Sequence, residues 1–174
     1  MINIFKSQNK SIEKFTETTS PITYVDCSNN TRCGDATHIR IPDDVTNILA
    51  AAFQNNENII SVIIPDSVKS IGAYAFYGCS NLTSIVIPNS VTSIGDQAFY
   101  GCSSLTSVVI GDSVTSINDY TFYGCSSLDN VVIPDDVTSI GAYAFYGCTS
   151  LVSIEIPNTV TNIHNYAFAN TGCI

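Results

Sequence analysis

From Ser61 onward the chain repeats itself every 23 residues without insertion or deletion, reading SVIIPDSVKSIGAYAFYGCSNLT, SIVIPNSVTSIGDQAFYGCSSLT, SVVIGDSVTSINDYTFYGCSSLD and NVVIPDDVTSIGAYAFYGCTSLV. A fixed period of this size marks a solenoid, in which each unit is one turn of backbone and touches only its neighbours. A weaker copy, HIRIPDDVTNILAAAFQNNENII, occupies 38–60, and another runs from Ser153 to Ile174, which falls on the leucine position of the unit. The array therefore spans 38–174 as six units, preceded by an amino-terminal cap over 1–37. In the cap, Ile22, Val25 and Cys33 stand in register with Val45, Ile48 and Asn56, which predicts a degenerate repeat from about residue 21.

Each position in the unit forms a column along the solenoid, and the columns that stay apolar face inward. One stretch alternates as a half-buried strand does, with Val62 and Ile64, Ile85 and Ile87, Val108 and Ile110, Val131 and Ile133 on the inner side. A second extended stretch supplies Val68, Ile71 and their equivalents. Columns of phenylalanine (Phe53, Phe76, Phe99, Phe122, Phe145, Phe168) and leucine (Leu82, Leu105, Leu128, Leu151) complete the core. Pro65, Pro88, Pro134 and Pro157 end the first strand, because proline fixes φ and removes a donor. Asp66, Asn89, Asp112, Asp135 and Asn158 follow and are expected to bond their own downstream backbone in a turn. Gly78, Gly101, Gly124 and Gly147 recur after the aromatic pair, where the backbone is expected to take an angle that a Cβ opposes. The AYAF-type segments leave room for one helical turn at most. The predicted fold is a repeat solenoid with a parallel β-sheet on one face and short extended or helical-turn segments on the other.

The unit I-P-x-S-V-T-S-I-G-x-x-A-F-Y-G-C-S-S-L-T resembles the BspA-like, or treponemal-type, leucine-rich repeat, with its Pro, Phe, Gly-Cys and Leu positions together and in register over about four-fifths of the chain. The resemblance implies a cell-surface or secreted binding protein that adheres to host matrix or to other cells. No apolar signal segment is visible in residues 1–20, which leaves a cytoplasmic location open.

Composition excludes some partners. A net charge of −9 repels nucleic acid and anionic lipid. No run approaches the roughly 18 apolar residues of a membrane span, so membrane insertion is not expected. Lys6, Lys10 and Lys14 are spaced as one face of a helix, read here as a solvated face. Asn-x-Ser/Thr sequons stand at Asn9, Asn29 and Asn81 and would matter only in a eukaryotic secretory route.

Sites of chemistry are sparse. Cys79, Cys102, Cys125 and Cys148 share one column rather than the paired spacing of a zinc or redox site, and are read as buried reduced thiols. Cys27 and Cys33 lie in the cap, where a local disulfide would replace missing core in an oxidising compartment; Cys173 is off the ladder and read as unpaired. His38 and His164 occupy opposite ends of the array and are read as solvent-exposed. Ser84 and Ser107, and Thr92, Thr115 and Thr138, form repeated columns that suit a hydroxyl ladder better than an activated nucleophile. The Asp66, Asp112, Asp135 and Asp136 set lacks EF-hand spacing. No catalytic residue, metal or cofactor is expected.

Two surfaces remain as candidates for binding. The outward positions of the first strand give one column of His38, Ser61, Ser84, Ser107, Asn130 and Ser153, and another of Arg40, Ile63, Val86, Val109, Val132 and Glu155, an apolar stripe bounded by opposite charges. Across the solenoid, Tyr77, Tyr100, Tyr123 and Tyr146 form an aromatic column. The expected function is non-catalytic binding of a protein or other extracellular macromolecule, with a structural or self-assembling surface protein, or an intracellular interaction scaffold, as alternatives.

Overall fold

The computed structural model describes residues 25–27 and 33–173. Ile22, Lys6, Lys10, Lys14, Asn9, Asn29 and Ile174 lie outside that range. Each turn of the array lays down short parallel strands where the sequence alternates. One sheet contains six of them, in the order β1 (Val25–Asp26), β2 (His38–Arg40), β4 (Ser61–Ile63), β6 (Ser84–Val86), β8 (Ser107–Val109) and β10 (Asn130–Val132). Between successive units the register advances by one repeat, as in Ile85↔Val108 and Val131↔Val108. A second ladder runs along another face in two three-stranded pieces, β3 (Asn47–Ile48), β5 (Ser70–Ile71) and β7 (Ser93–Ile94), then β9 (Ser116–Ile117), β11 (Ser139–Ile140) and β12 (Asn162–Ile163). Between the ladders, i to i+3 bonds such as Ala75 N–H to Gly72 O and Tyr77 N–H to Tyr74 O fold the AYAF segment into linked turns rather than a helix.

The core is a stack of columns. Phe53, Phe76, Phe99, Phe122 and Phe145 are fully buried, and consecutive rings from Phe53 to Phe168 lie 5.2–5.5 Å apart with planes within 3–16°. The leucine column is equally buried, and Ile59 fills its place in the first unit. The free thiols of Cys79, Cys102, Cys125 and Cys148 are buried, each donating to a carbonyl 26 residues earlier (Phe53, Phe76, Phe99 and Phe122) at 3.2–3.3 Å. Burial pushes the Cys79 and Cys148 thiols up to about 12 and raises those of Cys102 and Cys125 well above the ordinary value. Cys27 and Cys33 are joined as a disulfide, with Cα atoms 5.5 Å apart. The recurring glycines take φ of 69–74°, and Asn55 and Asn170 take the same left-handed angle in the first and last units.

Three expectations need correcting. Val25 pairs with Ile39, so the cap extends the first sheet, whereas the 23-residue spacing placed it beside Ile48 in the second ladder. Fourteen residues, rather than a full turn, separate the paired positions, so the chain reaches β2 by a shorter path than a repeat would take. Ser153–Glu155 forms no strand: among the described residues no backbone hydrogen bond joins 152–157 to 129–133. Asp135 and Glu155, both exposed, put like charges on the two walls of a cleft of about 500 Å³ between β10 and Ser153–Asn158. Asn89 does not bond its own turn; its Oδ1 accepts the Asp112 N–H of the next unit at 3.0 Å.

Because Phe99 is stacked on both faces, Phe99→Ala should cost roughly 3–5 kcal/mol in urea unfolding, and half-buried Phe168, stacked on one face, should cost less. The raised thiols set a pH dependence. Below pH 9.0 both folded and unfolded chains keep the protons of Cys79 and Cys148; between 9.0 and about 12 only the folded chain does. Stability should therefore fall as pH rises through that window, and native Cys79, Cys102, Cys125 and Cys148 should resist a thiol reagent that reaches Cys173 first.

Candidate binding surfaces

In each of the three-residue strands β2, β4, β6, β8 and β10 the middle residue is buried and the flanking ones alternate with it, away from the core. This follows from the two-residue period and from parallel pairing that keeps equivalent residues side by side. Ile63, Val86 and Val132 are 39%, 40% and 57% exposed, and Val109 between them is half-buried. Arg40 stands at one end of this stripe, pairing through Nη2 with both Asp43 carboxylate oxygens at 2.7 Å, so its charge is matched locally. Glu155 does not close the other end, since its segment leaves the ladder. In the neighbouring column Ser84 and Ser107 are half-buried and Asn130 is exposed, but Ser61 is buried, its Oγ 2.6 Å from Nδ1 of half-buried His38. His38 is thus not the free surface residue the sequence implied. The two are register partners, and a buried hydroxyl in the middle of a sheet is a cross-strand bond rather than an accessible nucleophile. His164 is exposed.

Hydroxyl columns bind the backbone of the preceding turn. Thr92 donates to Lys69 O, Thr138 to Thr115 O and Thr161 to Thr138 O at 3.3–3.4 Å, Thr83 and Thr106 do the same along a second column at 3.1–3.2 Å, and Ser103, Ser126 and Thr149 along a third at 3.2–3.4 Å. Their protons are committed to the scaffold. No group of three or more His, Cys, Asp or Glu among the described residues is placed to hold a metal ion.

The aromatic face is larger than the sequence column. Tyr77, Tyr100, Tyr123 and Tyr146 stack at 4.6–4.8 Å with planes within 3–9°. Beside them runs a second column, Tyr74, Gln97, Tyr120, Tyr143 and Tyr166, joined by stacks at 4.9 and 5.0 Å and to the first column by tilted contacts at 5.6–6.0 Å. Eight of the nine tyrosines belong to this band. The second column takes φ of 55–59°, a left-handed angle costly for residues with a Cβ, and this angle turns its rings alongside the first. Its period was present in the sequence; the backbone angle that places it was not. Gln97 fills the one interior gap and donates through Nε2 to Tyr74 Oη at 3.1 Å. Partial burial, then the neighbouring phenols, raises the Tyr100 and Tyr143 hydroxyls above the ordinary tyrosine value.

Six copies of the model for the BspA-type leucine-rich repeat region match the chain, over residues 2–128 and 115–174. The chain belongs to the BspA-type leucine-rich repeat family. Among solved structures, a leucine-rich cell surface protein from Faecalibacterium prausnitzii is 37% identical with a TM-score of 0.76, over 88% of this chain and 48% of that one. A leucine-rich repeat protein from Bacteroides ovatus is 31% identical with a TM-score of 0.65, over 88% and 46%. The leucine-rich repeat protein of T. pallidum is 28% identical with a TM-score of 0.69, over 76% and 71%. This BspA-type array spans about half the length of the F. prausnitzii protein. No curated protein matches it. Among the described residues no helix is long and apolar enough to cross a membrane.

Gln97 already has a φ of 57°, beside 55° at Tyr120 and 56° at Tyr143, so Gln97→Tyr should complete the second column without backbone change. A gain of about 0.5–1.5 kcal/mol in urea unfolding is expected; a loss would mean the column cannot accept an unbroken stack.

Proposed function

We propose that this chain is a non-catalytic module that binds a protein or other extracellular macromolecule on the outer face of its six-stranded sheet, at the cell surface or after secretion. The observation that carries the reading is the stripe Ile63, Val86, Val109 and Val132, apolar side chains turned outward on four successive strands with small polar neighbours at Ser84, Ser107 and Asn130. A sheet about 25 Å across, six strands at about 4.8 Å, suits a protein surface better than a small molecule. The cell-surface description of the F. prausnitzii relative supports the location. An acidic chain of net charge −9 favours basic partners over nucleic acid or anionic lipid.

One observation favours self-assembly as a second reading: among the described residues no strand pairs with the outer edge of β10, and unpaired edges recruit strands. Size-exclusion chromatography over a dilution series separates the readings, since self-assembly is lost on dilution.

Replacing Val86, Val109 and Val132 together with Asp places three like charges side by side while the inward Ile87, Ile110 and Ile133 keep the core. In a pull-down from host matrix or cell lysate the triple variant should retain partners at least about tenfold less well than wild type. Circular dichroism must show the variant folded. If the folded variant binds as wild type does, the sheet face is wrong, and the column from Tyr77 to Tyr146 is the next surface to test.

A further inference from the structure

Two aromatic ladders run along this array, phenylalanine from Phe53 to Phe168 and tyrosine from Tyr74 to Tyr166, and they differ in what they expose. The phenylalanine rings are sealed in the core. The tyrosine rings stack as closely, at 4.6–5.0 Å, but Tyr77, Tyr100, Tyr120, Tyr123, Tyr143 and Tyr146 are only half-buried. Tyr100, Tyr123 and Tyr143 are stacked on both faces, so these inner rings offer no open face to a flat ligand. What the band does offer is a phenol held against another phenol, turn after turn.

We propose that the tyrosine band is a site of oxidative cross-linking, in which phenols of adjacent turns couple into dityrosine and staple the solenoid along its axis. The co-reactant is a one-electron oxidant, such as a haem peroxidase supplied with hydrogen peroxide. Each of two tyrosines gives up its hydroxyl hydrogen as a proton and an electron. The two phenoxyl radicals join through one carbon ortho to each oxygen. The ring hydrogens at those carbons move to the oxygens and restore both phenols. The peroxide accepts the two electrons and two protons and leaves as two waters, so the chain loses two hydrogens per link. Coupling in solution waits on an encounter between radicals; here the fold holds the partner ring at 4.6–4.8 Å, converting the encounter into an intramolecular step. The exposed outer edges leave the rings room to tilt together, which the sealed phenylalanines lack. Gln97 supplies an internal control, because it has no phenol and separates Tyr74 from Tyr120 by two turns.

The test treats the whole protein, at low concentration, with a haem peroxidase and hydrogen peroxide. It reads dityrosine emission, mobility on a denaturing gel and the masses of fragments cut before Asp. Such cleavage puts Tyr74 and Tyr77 in 66–95, Tyr100 in 96–111, and Tyr120 and Tyr123 in 119–128. Fragments 66–95 and 96–111, and fragments 96–111 and 119–128, should be recovered joined and two hydrogens lighter than their sum, from a product that migrates as one chain. Tyr123→Phe keeps the ring stack and removes the phenol; the join of 96–111 to 119–128 should fall at least about tenfold, while that of 66–95 to 96–111 persists. The proposal is overturned if free tyrosine couples in the same mixture and the protein does not, or if links form only between chains. It also fails if 66–95 joins 119–128 as often as adjacent turns join, or if Tyr123→Phe changes nothing.

Discussion

The constraint on which this structure depends is the spacing of parallel backbone hydrogen bonds, which sets successive turns about 4.8 Å apart and keeps equivalent residues in line. That spacing is close to the thickness of a ring stacked on a ring. A chain that repeats its sequence under this constraint has to place like on like, so the side chains tolerated at each position are those that bear their own copies as neighbours. Phenylalanine and tyrosine do so by parallel stacking, serine and threonine by donating to the carbonyl one turn back, and cysteine by donating to a carbonyl 26 residues earlier. Charged residues do so badly. This explains why so acidic a chain carries only 12% charged residues and places them mainly in turns and at the ends.

The same constraint made most of the fold legible before any coordinates. An inward column in the sequence, such as Val62, Ile85, Val108 and Val131, is an inward column in the structure, because register fixed by the period cannot slip without moving every apolar side chain outward. The stripe of Ile63, Val86, Val109 and Val132 was read correctly as outward for that reason. Readings failed where the period stops governing. Val25 was placed by counting back one unit, yet the cap is not a full turn. Glu155 was placed by counting forward, yet its segment forms no strand on β10, while β12 of the same unit still pairs with β11. The second tyrosine column escaped for a different reason: periodicity identifies a column but not its direction, and a left-handed φ at Tyr74, Tyr120, Tyr143 and Tyr166 decides where it points.

The interior of the array also shows what happens when one residue breaks the rule of like on like. Gly72, Gly95 and Gly141 occupy one position after the second ladder, where an added Cβ would come within 2.3–2.6 Å of backbone in the turn before. Asn118 holds the same position in the intervening turn and brings a Cβ there. The second ladder is broken at this turn: β9 does not pair with β7, and the bond that Gly72, Gly95 and Gly141 donate to an isoleucine carbonyl one turn back has no counterpart at Asn118. Asn118 turns its Oδ1 to the hydroxyl of Ser116 instead, at 2.9 Å. His164 also carries a Cβ at this position but keeps its bond to Ile140 O at 2.9 Å, so a Cβ here does not by itself break the ladder. The break stays local because the aromatic turns still bond across it, from Gln97 to Asp119, Phe99 to Thr121 and Gly101 to Tyr123. A solenoid of this kind therefore tolerates a fault in one ladder while other columns continue through it: the Phe99–Phe122 and Tyr100–Tyr123 stacks and the sheet carrying the candidate binding stripe all run unbroken past that turn.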